Sequence, residues 1–238
     1  MNKKVALITG GSKRIGREIS LHLSKKYKLL IHYNNSFNEA KDLSENLKDL
    51  GLDCKTIKYD FNDTTKIRNF SQRCIKKYGS IELLINNASI FEEDEIDERL
   101  LVKNMNINLI SPMLLTKYLG EHMKKNCGGN IINIGDSLSL NNPWHKFTGY
   151  TISKSGLNIL TKTMSKNFNN KVRVNSLNLG PIMKPSDKKI NNIYKTNYRS
   201  KDGISSILKF IDYILKDKKI NGKIFNIDNA ERLMINSY

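Results

Sequence analysis

The sequence has no apolar run approaching the roughly 20 residues that a bilayer-spanning helix needs, so no membrane partner is expected. Cysteine is scarce. Cys54, Cys74 and Cys127 are an odd number without close pairing, which argues against a disulfide scaffold and for reduced thiols in a cytoplasm. His22, His32, His122 and His145 are scattered and form no ligand spacing such as HxxxH, so no metal is expected. The opening residues Met1 to Thr9 carry two lysines and a short apolar run that ends in a glycine-rich turn, unlike a cleaved leader. Repeats, low-complexity tails and evident linkers are also missing, and one domain spanning 1–238 is the expectation. Acidic residues are the minority, 23 against 40 Lys and Arg, for a formal charge of +17. The lysines are spread among many Asn and Ile residues and accompany no nucleic-acid motif, so the excess reads as compositional bias and no nucleic-acid partner is expected. Such a field still favours a phosphate-rich ligand.

What is present is an alternation of short β-branched runs with longer amphipathic stretches, the pattern of a parallel sheet covered by helices on both faces. Seven strands are expected, at Val5–Thr9, Leu29–His32, Cys54–Tyr59, Leu83–Asn86, Asn130–Ile134, Val172–Leu177 and Lys223–Ile227. Helical periodicity covers Ile15–Lys26, Asn38–Leu50, Thr64–Lys77, Glu98–Lys124, Tyr150–Asn167 and Gly203–Leu215. The fold class is therefore α/β, a Rossmann-type doubly wound domain with a seven-stranded parallel sheet. Residues 180–200 show no clear pattern, and a long patternless stretch in a compact domain is commonly functional, often a lid.

The first strand runs into Thr9-Gly10-Gly11-Ser12-Lys13-Arg14-Ile15-Gly16 and then a helix. Glycines there let backbone N–H groups and the helix N-terminus approach a pyrophosphate. A dinucleotide site for NAD normally places an acid at the end of the second strand for the ribose 2′-hydroxyl. This chain has His32-Tyr33-Asn34-Asn35-Ser36, with no acid. A 2′-phosphate meets no repulsion there, Arg14 and Lys13 supply positive charge and Asn34, Asn35 and Ser36 supply donors, so NADPH/NADP+ is the expected cofactor. Asp60, followed by Phe61 after the third strand, either bonds an adenine amino group or caps the next helix. Farther on, Tyr150-Thr151-Ile152-Ser153-Lys154 places a phenol and an ammonium one helical turn apart. A phenol of pKa near 10 becomes a usable acid at neutral pH if the ammonium stabilises its phenolate.

Taken with Asn86-Asn87-Ala88, Asn108 and Ser137 in the same order, these motifs make the chain resemble the short-chain dehydrogenase/reductase family over essentially its whole length. The resemblance implies Tyr150 as general acid in reduction, Lys154 as its modulator and a contact to the nicotinamide ribose, and Asn108 as the holder of a water in the proton relay. It also implies cofactor contacts at Asn87 and at Gly180, Pro181 and Ile182, although Leu179 stands where the family usually has proline. The full cofactor set expected is Gly10, Ser12, Lys13, Arg14, Ile15, His32, Tyr33, Asn34, Asn35, Ser36, Asp60, Phe61, Asn87, Ala88, Ser89, Tyr150, Lys154, Gly180, Pro181 and Ile182.

Arg14 at the loop's middle glycine, Ser89 after Asn-Asn-Ala, Phe91 beyond it and the acid-free second strand resemble, within that family, the pteridine reductases and related dihydromonapterin or dihydrofolate reductases. That likeness implies that Arg14 binds cofactor phosphate near the pterin, that Ser89 lies close to both, and that Phe91 stacks on the ring. This group often carries Asp in place of the catalytic serine, and here Asp136 and Ser137 are adjacent. Counting back thirteen residues from Tyr150 (150 − 137 = 13) selects Ser137. The Ile134-Gly135-Asp136 run ahead of Pro143-Trp144 selects Asp136. Only one of two neighbours at a strand end is expected to face the substrate. Trp144, the only tryptophan, either walls the pocket or plugs the loop from below. The substrate set is thus Arg14, Ser89, Phe91, Asp136, Tyr150 and Trp144. The expected activity is NADPH-dependent reduction of a dihydropterin, dihydromonapterin or dihydrofolate. The alternatives are a carbonyl reductase, such as one acting on a 3-oxoacyl thioester of an acidic carrier protein, or a cofactor-binding regulator without catalysis. Family analogy implies a homotetramer or homodimer.

Overall fold

The computed structural model describes residues 3–95, 97–183 and 200–228. Its elements run in strict alternation. Strand β1 (Val5–Ile8) leads to α1 (Arg14–Ser24), β2 (Lys28–Tyr33) to α2 (Phe37–Asp49), and β3 (Cys54–Lys58) to α3 (Ile67–Tyr78). Then β4 (Leu83–Asn86) leads through α4 (Glu98–Met105), a π-helical turn (Asn106–Ile110) and α5 (Ser111–Lys125) to β5 (Gly129–Asp136). Helix α6 (Thr148–Asn167) joins β5 to β6 (Val172–Leu179), and α7 (Ser200–Lys216) precedes β7 (Ile224–Ile227). Among the described residues the seven strands are all parallel, in the order β3-β2-β1-β4-β5-β6-β7.

The apolar runs fill both sheet faces because alternate residues of each strand point opposite ways. Ala6 and Ile8 of β1 join Leu29, Ile31, Ile85 and Ile132 beneath α1, α2 and α7, with Ile19, Leu43 and Ile211 buried against them. Val5 and Leu7 join Leu30, Leu84, Ile131 and Val174 beneath α3 and α5, with Phe70, Leu115 and Phe168 packed over them. The strand order reverses between β1 and β4, and in a doubly wound sheet the crevice beyond the strand ends at that point is where ligands enter.

Several boundaries differ from the sequence expectation. The expected Glu98–Lys124 helix is interrupted: Ser111 N–H donates to the Asn106 carbonyl, five residues back, and Pro112 next to it has no N–H to continue an α-helical ladder. Strands β5 and β6 each run two residues beyond the expected ends because they pair to Asp136↔Leu179, a register set by the partner strand. Helix α3 begins at Ile67, three residues later than Thr64, after Asp60 and Asp63 side chains take the N–H groups of Asn62 and Thr65 in local turns. Of the 180–200 stretch, Gly180–Met183 lie along the cleft, whereas 184–199, where the lid was expected, fall outside the described residues. No helix among the described residues is long and apolar enough to cross a membrane.

Candidate active site

The cleft at the switch point has a volume of about 690 Å³, within the range of small-molecule sites. At its floor the glycine turn is held from three sides. Gly10 lies at φ +59, and its N–H donates to His32 Nδ1 at 3.1 Å. Since Nδ1 accepts, the His32 proton sits on Nε2 and points to the Tyr59 carbonyl at 3.0 Å. Burial pushes this imidazole down to about 4, so it stays neutral. Just after β4, Asn87 Nδ2 donates to the Thr9 and Gly10 carbonyls at 2.9 and 3.0 Å. The Thr9 hydroxyl accepts the N–H groups of Asn87 and Ala88. His32 and Asn87 therefore line the cleft, but their polar side-chain atoms brace the loop instead of pointing to a ligand.

Arg14 opens α1 at φ +50, a left-handed conformation that costs a non-glycine residue about 1–2 kcal/mol. Its guanidinium is exposed in the cleft wall, with one nitrogen 3.4 Å from the Met183 carbonyl. Lys13, expected to share the phosphate-binding charge, is instead ion-paired with Glu39 of α2 at 2.5 Å. That acid was not foreseen, because the pairing depends on how α1 and α2 meet. Tyr33, Asn34, Asn35 and Ser36 all line the cleft with no acid among them, and Ser36, the N-cap of α2, makes no side-chain capping bond. Asp60 also lines it, but its Oδ1 accepts from Asn62 N–H at 2.9 Å, so it caps a turn, not the following helix. Arg14→Gly is expected to raise stability by about 1 kcal/mol and to weaken binding of a 2′-phosphorylated dinucleotide about tenfold. Thermal melts and cofactor fluorescence titration measure the two effects independently.

Tyr150 sits in the first turn of α6 and Lys154 one turn later, both buried. Tyr150 Oη donates to Asp136 Oδ2 at 2.8 Å, and the Trp144 indole N–H donates to the same oxygen at 3.1 Å. Asp136 Oδ1 accepts the N–H groups of Leu138 and Ser139 at 2.7 and 3.0 Å. All four lone-pair positions of the carboxylate are thus engaged. Asp136 lines the cleft; Ser137 does not, and its buried hydroxyl has no hydrogen-bond partner among the described residues. The extra strand residues of β5 settle which neighbour faces inward.

The expected lowering of the phenol by Lys154 is not what this geometry produces. Lys154 Nζ donates to the Ile134 carbonyl at 3.0 Å and lies 5.8 Å from the Tyr150 ring centroid. Burial, then the Asp136 carboxylate, hold the Tyr150 phenol well above its ordinary value. Burial also raises Asp136, against the bonds from Tyr150 and Trp144. Lys154 is lowered from its ordinary 10.5 to about 8 by burial, with Asp136 pulling the other way. A lysine whose folded pKa is depressed destabilises the fold fully below pH 8, and the penalty fades as pH rises toward 10.5, because the unfolded chain holds the extra proton. Lys154→Met is accordingly expected to gain most stability over the wild type near pH 7 and progressively less toward pH 10, read from urea unfolding at each pH.

Beside Tyr150, Phe91 stacks on Phe147 at 4.2 Å and 9° and stands edge-on to Tyr150 and Trp144 at 4.7 and 5.2 Å. The loop carrying Ser89 and Phe91 is fastened by Asn108. Its Oδ1 accepts from Ile90 N–H and Ser89 Oγ, each at 3.0 Å, while Nδ2 donates to the Ile90 carbonyl and Asn104 Oδ1. The side-chain amide is thus fully engaged as a clamp for the loop. Ser12, Ile15, Phe61, Ala88, Ser89, Gly180, Pro181 and Ile182 line the cleft, as does Glu92, which sequence reasoning overlooked and which pairs with Lys103. Among the described residues no group of three or more His, Cys, Asp or Glu is placed to hold a metal.

Comparison with known proteins places this geometry in context. The family described as short chain dehydrogenase matches residues 4–195. An uncharacterized oxidoreductase of Thermotoga maritima is 29% identical over 183 residues, 75% of this chain and 71% of its own length. An L-rhamnose 1-dehydrogenase (NADP(+)) of Thermoplasma acidophilum is 30% identical over 190 residues, 78% of this chain and 75% of its own. Among solved structures, FolM alternative dihydrofolate reductase 1 from Brucella suis in complex with NADP superimposes with a TM-score of 0.87 at 25% identity, covering 98% of this chain and 96% of that one.

Proposed function

The chain belongs to the short-chain dehydrogenase family, and on that footing we propose that it is an NADPH-dependent reductase of a dihydropterin-type ring: a dihydropterin, dihydromonapterin or dihydrofolate. The observation that carries the reading is the apposition of the Phe91–Trp144 aromatic box to a buried Tyr150–Asp136 pair, which suits a flat heteroaromatic ring needing one proton. The structural likeness to an NADP-bound alternative dihydrofolate reductase adds support.

The cleft fits a dinucleotide phosphate. Helix α1 begins without a side-chain cap, so its first N–H groups are left for an anion, and no acid stands among Tyr33–Ser36. Gly10–Ile15 would hold the pyrophosphate, Arg14 with Asn34, Asn35 and Ser36 the 2′-phosphate, and Gly180–Ile182 with Lys154 the nicotinamide end. NADPH bound there supplies a hydride to a ring carbon. Tyr150 gives its proton to the adjacent ring nitrogen. A phenolate left beside the Asp136 carboxylate would be a buried like-charge pair, so proton uptake by the Tyr150–Asp136 pair accompanies each turnover. Asp136, with all four lone pairs engaged, orients Tyr150, the proton taken up returns to the phenol oxygen, and Trp144 holds the carboxylate in place. One domain, 1–238, houses both sites, in a reducing compartment such as the cytoplasm. Exposed Val102, Met113, Ile152 and Ile159 on α4, α5 and α6 support assembly into a homodimer or homotetramer.

The test is NADPH oxidation followed with 7,8-dihydropterin, quinonoid dihydropterin and dihydrofolate, set against acetoacetyl thioester. Turnover of a reduced pterin is the expected result, and turnover of the thioester alone overturns the reading in favour of a carbonyl reductase.

A further inference from the structure

Helix α6, which carries Tyr150, lacks a cap of its own: Phe147 occupies the N-cap position and supplies no side-chain bond. The missing acceptors come from another segment. Asp94, in the connection after β4, is 2% exposed. Its Oδ1 accepts Thr148 N–H at 3.0 Å and its Oδ2 accepts Gly149 N–H at 2.6 Å, the first two donors of the helix. The backbone completes the junction, with Asp94 N–H donating to the Lys146 carbonyl at 2.9 Å. The approach leaves no slack, because a Cβ on Gly149 would lie 3.0 Å from both Asp94 Oδ2 and Leu101 Cα. Three residues before Asp94 is Phe91, whose ring lies flat on Phe147, the residue just before the helix. The Phe91–Asp94 stretch therefore grips the start of α6 twice, by ring stacking at one end and by a carboxylate on orphan N–H groups at the other.

We infer that Asp94 is a positioning residue for the reaction: it locks the aromatic platform at Phe91 to the proton donor at Tyr150, so that ring and phenol move as one unit. The physical reason is the weakness of an uncapped first helical turn. Without an acceptor, Thr148 and Gly149 N–H groups must find water in a buried place, and the turn frays. Tyr150 is the next residue, and its hydroxyl can meet Asp136 at 2.8 Å only while that turn keeps its shape. A displacement near 1 Å at a reacting group can cost about 100-fold in rate. The role deepens the proposed reductase reading and rests on it for its kinetic consequence, but the lock itself is a structural property that can be read without substrate.

The experiment compares Asp94→Ala and Asp94→Asn with wild type and with Glu95→Gln, a control that loses only a surface pairing with Lys146. Three readouts are used: amide hydrogen exchange at Thr148 and Gly149, emission of the sole tryptophan, Trp144, and steady-state kinetics with the pterin that wild type turns over. In Asp94→Ala the two amides are expected to exchange at least about tenfold faster. Trp144 emission is expected to shift to the red as its contacts with Asp136 and Phe91 loosen. The kcat is expected to fall about 10- to 100-fold while NADPH affinity, titrated by fluorescence, stays within about twofold. Asp94→Asn keeps one acceptor but turns a donor toward the second N–H, so it should fall between the two; it also guards against an alanine variant that does not fold. Unchanged exchange and emission in both variants would overturn the proposal. So would a parallel loss of NADPH affinity and kcat, which would mark a merely structural residue. If wild type reduces no pterin, the functional reading fails, and the exchange and emission results still decide the lock.

Discussion

Tyr150→Phe is expected to lower kcat for the reduced-pterin substrate by about three orders of magnitude, the middle of the range for loss of a positioned general acid, with NADPH affinity nearly unchanged. The substitution removes one oxygen from a buried site and leaves the ring against Phe91. Asp136 keeps the donors from Trp144, Leu138 and Ser139, so no carboxylate is stranded and the fold should hold. A melting temperature close to wild type is the control that assigns the loss to proton transfer. Asp136→Asn tests the other half of the pair. An amide cannot accept at all four positions, so Tyr150 and Trp144 lose their common anchor, and kcat should drop about 100-fold. If Tyr150→Phe left turnover of every tested substrate intact, catalysis by this site would have to be abandoned, and the cofactor-binding regulator would be the better description.

A second large effect is expected at Gly16. A Cβ there would fall far inside van der Waals contact distance of the Gly10 carbonyl oxygen and lie 2.6 Å from Asn87 Nδ2. One obstacle is backbone, and the other is the amide that pins the loop, so neither can yield without opening the turn. Gly16→Ala should cost about 3 kcal/mol or more and abolish measurable NADPH binding. Gly51→Ala is the informative contrast. Gly51 has nothing within 4 Å of its missing Cβ but lies at φ +72, so it should cost only about 1 kcal/mol and leave cofactor affinity alone. Equal effects at the two positions would mean that the Gly10–Gly16 contact does not hold the phosphate loop together. Urea unfolding and fluorescence titration give both numbers.

Much of this protein was legible in one dimension. Short β-branched runs and period-3.6 apolar patterns located the described strands and the helices between them, because burial on both faces of a sheet or on one face of a helix imposes those patterns locally. The glycine turn between β1 and α1, the acid-free end of β2 and the Tyr150–Lys154 step are also local, since each depends on residues within one turn of backbone. The structure departs from the local pattern where a second segment intervenes. Strand β5 runs on to Asp136 because β6 pairs with it. Asn108 is in the expected place, but its amide is consumed by Ser89, Ile90 and Asn104. Lys13 looked like a free cation until α2 brought Glu39 alongside.

The sequence by itself thus determined the parallel α/β architecture, the cofactor-loop chemistry and the identity of the phenol and ammonium, since these follow from periodicity and short spacing. The tertiary structure alone decided which of two adjacent residues faces the cleft, that Tyr150 and Trp144 both donate to Asp136, and that Asp94 caps the helix bearing Tyr150. Hydrogen bonds between segments 8 to 55 residues apart set those outcomes. Strand register and helix packing choose such partners, and no local pattern encodes them.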